Sequence, residues 1–306
     1  MYRFLPASLL GLLTAAAVIL NTFVVGGFLL LVAVVKILVP IPGWRAFWTH
    51  ALTAIAEFWI HVNSAIIAAT QPTVIELRGF DDPRLRRDGR FLVASNHQTW
   101  SDVPILQHVL IPHVPFLRFF IKQELIWLPV LGLAWWALDM PFMKRYSAAM
   151  LARHPELKGE DIKTTRQACE KFRRGPISIM NFIEGTRFSP AKRDAQKSPY
   201  RHLLKPKAGG LAAVLDALSG DLDTLVNLTI VYGREGASFW DFLTGRLPRV
   251  LVEVTVEDIP IDLRGGDYLE DEAYRERFQE WVRLLWEAKD RRLDVLIPEV
   301  IAGPSN

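Results

Sequence analysis

Residues 91–102 read Phe91-Leu92-Val93-Ala94-Ser95-Asn96-His97-Gln98-Thr99-Trp100-Ser101-Asp102, an apolar run that gives way at once to polar side chains. Phe91–Ser95 has the length and composition of a strand. Asp102–Leu110 carries helical spacing, with Ser101 in the N-cap place. A strand that ends in a polar loop and runs into a helix is the repeating unit of an α/β sheet. In such sheets ligands gather outside the carboxyl ends of the strands.

The same alternation continues on both sides. Thr73–Leu77 alternates and predicts a strand, as do Pro115–Ile121 and Met140–Met143 around the Trp-rich stretch Ile126–Leu138. Asp161–Arg174 has the pattern of an amphipathic helix stopped by Gly175-Pro176, and Ile177–Ile183 is a β-rich run. Ser189–Lys207, polar and basic with three prolines, reads as a loop. Gly209–Leu218 predicts a helix, and Leu225–Tyr232 and Arg249–Val256 predict strands. Asp271–Arg292 predicts a charged helix with Phe278, Trp281, Leu284 and Leu285 on one face. The expected fold class is therefore α/β, a mixed sheet flanked by helices.

Upstream the sequence changes character. From Phe4 to Val39 the only charge is Lys36, and Pro40 and Pro42 then stop the run. It is too long for a signal peptide and lacks a small-residue cleavage site. As one straight helix it would be about 54 Å long, against a bilayer core of about 30 Å. It is therefore a tilted, overlong span, or two segments broken near Asn21-Thr22 or Gly26-Gly27. In Trp44–Thr70, the indoles of Trp44, Trp48 and Trp59 suit a membrane interface. Residues 1–70 are expected to form a helical membrane anchor of one or two helices, and residues 71–306 the α/β domain. Arg3 precedes the run, whereas Lys36 and Arg45 flank its far end. By the positive-inside rule the folded part lies on the cytoplasmic face of the cell membrane, and a hairpin dipping into one leaflet places it there too.

The chain has 306 residues, half of them hydrophobic and 23% charged, which excludes a disordered or fibrous protein. One cysteine, Cys169, excludes a disulfide framework and a Cys-rich zinc site. The net charge of +3 hides an asymmetry. Residues 113–210 hold 18 basic and 8 acidic side chains, and residues 211–306 hold 10 and 19. A basic middle third either meets an anionic partner or packs against the acidic last third. The anchor, and the lack of a basic helix with aromatic readers, turn the reading away from nucleic acid.

Four segments carry chemistry. In the first, His97 supplies an imidazole and Asp102 follows five residues later. On one regular helix that spacing would separate them by about 140°, so they meet only if His97 lies on the loop and Asp102 in the first turn. Asp102 then orients the imidazole as a general base, or His97 merely closes a turn ahead of a helix-terminal acid. The second is Glu184-Gly185-Thr186-Arg187, after a strand. There an Arg can clamp a phosphate, Thr186 adds a donor, and Glu184 accepts from a substrate hydroxyl or holds Arg187, unless the turn is simply exposed. The third is Met140–Tyr146, ending in Lys144-Arg145, and the fourth is Lys205-Pro206-Lys207-Ala208-Gly209-Gly210 before a helix. Either is an anion site or a solvated basic turn. The sequence has no Walker loop and no His or Cys cluster with metal spacing.

Taken together and in order, these segments resemble the lysophospholipid acyltransferase family, which includes 1-acylglycerol-3-phosphate acyltransferases. Asn96, His97 and Asp102 match its Asn-His-four residues-Asp signature. Glu184 to Arg187 match Glu-Gly-Thr-Arg, and Lys207-Ala208-Gly209 matches Lys-x-Gly. Phe182-Ile183 stands where the family often has Phe-Pro, and Leu225–Tyr232 lacks the usual proline. With Trp136–Phe142 these departures look like the branch containing lysocardiolipin and lysophosphatidylinositol acyltransferases and bacterial relatives. The resemblance implies a glycerolipid acyltransferase-like fold. His97 would deprotonate the sn-2 hydroxyl of a lysophospholipid, with Asp102 orienting it. Arg187, Thr186, Gly185, Arg145 and Lys207 would bind the acceptor phosphate, and Glu184 would position the glycerol hydroxyl. It implies acyl-CoA or acyl carrier protein as donor, and no metal or tightly bound cofactor.

Overall fold

The period-2 alternation of the strands sorts their side chains into two separate cores. The computed structural model describes residues 5–143, 150, 153–154, 159–170, 172, 175–218 and 222–302. Its strands are β1 (Val74–Arg78), β2 (Arg90–Ser95), β3 (Leu117–Phe119), β4 (Ile121–Lys122), β5 (Phe142–Met143), β6 (Ile177–Phe182), β7 (Thr224–Tyr232) and β8 (Arg249–Asp258). Six form one sheet in the order β1-β8-β7-β2-β6-β3, parallel except for the β7–β8 pair. Strands β4 and β5 pair with each other. The helices are α1 (Ala7–Leu38), α2 (Pro42–Thr70), α3 (Asp102–Leu110), α4 (Leu131–Ala137), α5 (Glu160–Glu170), α6 (Pro190–Ala195), α7 (Ala208–Ala217), α8 (Phe239–Leu243) and α9 (Glu272–Ala302).

On β2, Phe91 and Val93 enter one core with Ile105 and Leu110 of α3, Ala134 of α4, and Leu29, Leu52 and Trp59 of α1 and α2. Leu92 and Ala94 enter the other with Cys169 of α5, Leu211 of α7, and Phe278 and Trp286 of α9. The sheet is thus the middle of three layers. The sequence places Leu284 on the inner face of the last helix, but it is half exposed. The inward stripe runs Tyr274, Phe278, Val282, Trp286, Lys289 and Leu293, spaced at three and four residues. Between β3 and α4 the expected continuous strand is split, and a 3₁₀ turn (Gln123–Trp127) leads into α4. Helix α6 lies inside the expected loop, with the Ser189 hydroxyl accepting from the Lys192 N–H.

The N-terminal run is one unbroken helix of 32 residues, about 48 Å long, with no break at either expected place. Thr22 returns its hydroxyl to Val18 O, and Asn21 donates to Trp59 O and Asn63 Oδ1 of α2, so neither polar side chain interrupts the ladder. Gly26 is a point of close approach: a Cβ there would lie 2.7 Å from Val130 Cγ1. Helices α1 and α2 are both long and apolar enough to cross a membrane. Their inner stripe nevertheless belongs to the same core as the sheet. At one end Gln71 Nε2 donates to Thr14 Oγ1 and to Leu243 O, and at the other Lys36 pairs with Asp139 at 2.9 Å. Leu12, Leu20, Phe23, Val24, Leu31 and Leu38 of α1 face outward and are exposed.

Candidate active site

Parallel pairing places the two strongest motifs side by side. Ser95, the last residue of β2, is in register with Phe182, the last of β6. Two residues further on, His97 and Glu184 therefore leave the same edge of the sheet as neighbours. The His97 N–H donates to Glu184 Oε1 at 2.9 Å, and the Phe188 N–H returns to His97 O at 2.7 Å. Strand β7 pairs Leu228 with Ser95 and runs four residues further, walling the loop. Asn96 clamps this wall, donating to Ile230 O at 3.0 Å and accepting from Ile230 N at 2.9 Å.

Within this frame His97 Nδ1 lies 2.7 Å from Asp102 Oδ2. The same oxygen accepts from Gln98 N at 2.6 Å and Thr99 N at 3.1 Å, and Tyr232 OH donates to Oδ1. A carboxyl group surrounded by donors is an acceptor, so His97 carries its proton on Nδ1 and leaves Nε2 with a lone pair. The imidazole stacks on Phe182 with centroids 3.9 Å apart, which fixes its plane. The expectation that Ser101 caps α3 is not met. Its hydroxyl is buried with no partner among the described residues, and the Asp102 carboxylate takes the loop N–H groups instead.

The Glu184-Gly185-Thr186-Arg187 turn sits beside this pair. Gly185 has φ +69°, a left-handed conformation that favours glycine, and a Cβ on it would meet Lys207 Cδ at 3.1 Å. Lys207 thus lies against the turn, and its backbone N–H donates to Ile183 O at 2.8 Å. The Arg187 guanidinium stands 4.6 Å over the Trp100 ring, tying the turn to the His97 loop through a cation–π contact. Lys192 donates to Thr186 Oγ1 at 3.0 Å and Arg187 O at 2.9 Å. Arg145 lies outside the described residues.

Glu184, expected to hold Arg187 or accept from a substrate hydroxyl, is fully buried, and its two oxygens accept from the backbone N–H groups of His97 and Leu204. The reason is the register: the residue after Ile183 points under the loop, where backbone donors need an acceptor. Burial pushes its carboxyl up to about 7 against the pull of those two bonds. Beneath the sheet Lys289, also buried, donates to Leu228 O and Thr229 Oγ1, and burial brings it down to about 7.

Sequence reasoning missed Tyr232, Trp100, Phe182 and Lys192. Tyr232 offered one signal, a hydroxyl closing an otherwise apolar strand. Its partner lies 130 residues away in sequence.

The family model described as Acyltransferase matches residues 79–232, which run from just after β1 to the end of β7. An uncharacterized acyltransferase of Schizosaccharomyces pombe is 24% identical over 261 residues, 76% of this chain and 71% of its own length. The 2-acyl-1-lysophosphatidylinositol acyltransferase of Saccharomyces cerevisiae is 25% identical over 247 residues, 65% of this chain. The match spans 59% of that yeast protein, less than two thirds of its length. Among solved structures, the 1-acyl-sn-glycerophosphate acyltransferase PlsC from Thermotoga maritima aligns with a TM-score of 0.51 at 18% identity. It covers 92% of this chain and 95% of its own, a likeness of fold.

Proposed function

This chain belongs to the acyltransferase family, and from that premise we propose that it moves a fatty acyl chain from a thioester, acyl-CoA or acyl carrier protein, to the sn-2 hydroxyl of a lysophospholipid. The acceptor proposed is 1-acylglycerol-3-phosphate, giving phosphatidic acid. The observation that carries the reading is the His97–Asp102 pair at 2.7 Å, with Asp102 supplied by three further donors. His97 Nε2 takes the proton of the acceptor hydroxyl as its oxygen attacks the thioester carbonyl, and Asp102 stabilises the imidazolium. When the tetrahedral intermediate collapses, the carbon–sulfur bond breaks and the thiolate recovers that proton. No side-chain nucleophile is needed, because the substrate hydroxyl takes that part.

Arg187, Thr186, Gly185 and Lys207 bind the acceptor phosphate in this reading, supported by their convergence beside His97. Glu184 braces the loop from beneath. The α1–α2 hairpin attaches the enzyme to a membrane, with the catalytic part on the cytoplasmic face. Because the middle of both helices packs into the core, with Leu29 and Ala33 of α1 beside Leu52, Ala56 and Trp59 of α2, a hairpin set into one leaflet accounts for the packing better than one standing across the bilayer. A second acceptor, 2-acyl-1-lysophosphatidylinositol with its free sn-1 hydroxyl, is favoured by the similarity to the yeast acyltransferase of that substrate.

The test is an acceptor panel in mixed micelles, followed by thiol release and lipid mass spectrometry. Thiol release should require a lysophospholipid, with new diacyl product at the sn-2 position of 1-acylglycerol-3-phosphate. His97→Ala should lower turnover at least ~10²-fold. Release indifferent to acceptor, or a variant retaining more than about a tenth of turnover, overturns the reading.

A further inference from the structure

Asp102 is held from two sides. On one side Oδ2 accepts from His97 Nδ1 and from the loop N–H groups of Gln98 and Thr99; on the other Oδ1 accepts from Tyr232 OH. Asp102 is fully buried and Tyr232 is 3% exposed. Among the described residues Asp102 is the one hydrogen-bond partner of that hydroxyl, and Tyr232 the one partner of Oδ1. The ring packs in the first core, where a phenylalanine would fill the same space. The hydroxyl therefore adds nothing to packing that the ring does not supply, and burying it is unfavourable unless it bonds. It reaches Asp102 because β7 continues four residues beyond Leu228, the partner of the last residue of β2.

We infer that Tyr232 is a positioning residue of the transfer reaction, its hydroxyl locking the Asp102 carboxylate in the plane that aims His97 and drawing off part of the negative charge that faces the imidazolium. The inference rests on the reading of His97 as the base. A carboxylate free to turn about Cβ–Cγ would let the imidazole swing. One relieved of a donor would hold the imidazolium more tightly and make His97 a slower acid in the collapse step. Burial and the neighbouring Asp102 push the phenol well above its ordinary range, so it remains a donor throughout the working pH range.

The test is Tyr232→Phe in the full-length protein, with each substrate varied separately between pH 5 and 9. The expected result is kcat lowered about ten-fold, the low end for one hydrogen bond to a charged group. Both KM values should stay within about two-fold, and the acid limb of the pH profile should move to higher pH. Wild-type kcat with an unmoved acid limb overturns the inference, as does a loss carried by KM alone. Should the variant fail to fold, 3-fluorotyrosine at position 232 keeps the ring and the bond while making the phenol more acidic. The acid limb must then move to lower pH, and an unmoved limb overturns the inference. His97→Ala is measured alongside. If it is inactive while Tyr232→Phe behaves as wild type, the Tyr232 assignment alone falls. If it is active, the base falls and the positioning role falls with it.

Discussion

Arg187 shows how one side chain joins two parts of the site. Its guanidinium stands over Trp100, an indole of the His97 loop, so its position depends on both motifs at once. The guanidinium is a two-pronged donor, the geometry a phosphate accepts. A hydrogen bond to a charged group contributes about 1.5–3 kcal/mol, or roughly 10- to 150-fold. Arg187→Ala is therefore expected to raise the acceptor KM, or lower its kcat/KM, by about that factor while the donor KM changes much less. Arg187→Lys should recover part of the loss, because an ammonium keeps the charge and loses the fork. Steady-state kinetics with each substrate varied in turn decides it. A shift confined to the acyl-CoA KM would assign the turn to the donor phosphates instead.

Among the elements, the β2–β6 register is the device that assembles the site, and Glu184 is its least conventional part. Its carboxyl is raised by burial from an unfolded value of 4.5 to about 7. The folded state therefore holds a proton that the unfolded state has released between those pH values. Below 4.5 both states are protonated and there is no loss. As pH rises from 4.5 to about 7 stability falls, by an amount on the order of 3 kcal/mol, and above 7 it is level again. Glu184→Gln cannot ionise, so this decline should be absent from its melting temperatures across pH 4–8. The variant should also be less stable than wild type at pH 4.5, because the hydroxyl oxygen of the protonated carboxyl can still accept from the second of the two donors, His97 N and Leu204 N, whereas an amide NH2 cannot. An identical decline in both proteins would mean that Glu184 is not the titrating group.

For the whole molecule the governing fact is that the hairpin has two unlike faces. The inner one is shared with the sheet, and the outer one exposes Leu20, Phe23, Leu31 and Leu38. Deleting residues 1–42 would remove core side chains such as Leu29, and is expected to leave aggregated protein. A milder change separates attachment from folding. Leu20→Glu with Leu31→Glu alters exposed positions only, and charged residues cost about 2.5–3.5 kcal/mol each in a membrane interior. The double variant should keep its fold and leave the pellet in liposome co-sedimentation, whereas undiminished sedimentation would show that the outer face does not contact lipid.

The sequence by itself determined the α/β class and the apolar character of the N-terminal segments, and offered the pairing of His97 with Asp102 as one of two readings. Each of these is local: a period of 2 or 3.6, an uncharged run, or a five-residue spacing across a strand–helix junction. It also placed the Glu184 turn after a strand, and left the backbone partners of Glu184 unseen. What tertiary structure alone decided is which strands lie next to one another. The β2–β6 register sets Glu184 under His97, and the overhang of β7 brings Tyr232 to Asp102. The same holds for α1, where Asn21 and Gly26 look like breaks until Asn63 of α2 and Val130 are placed against them. A side chain's periodicity is written in its neighbours along the chain, whereas its hydrogen-bond partner across a sheet depends on strand order, which no local pattern encodes.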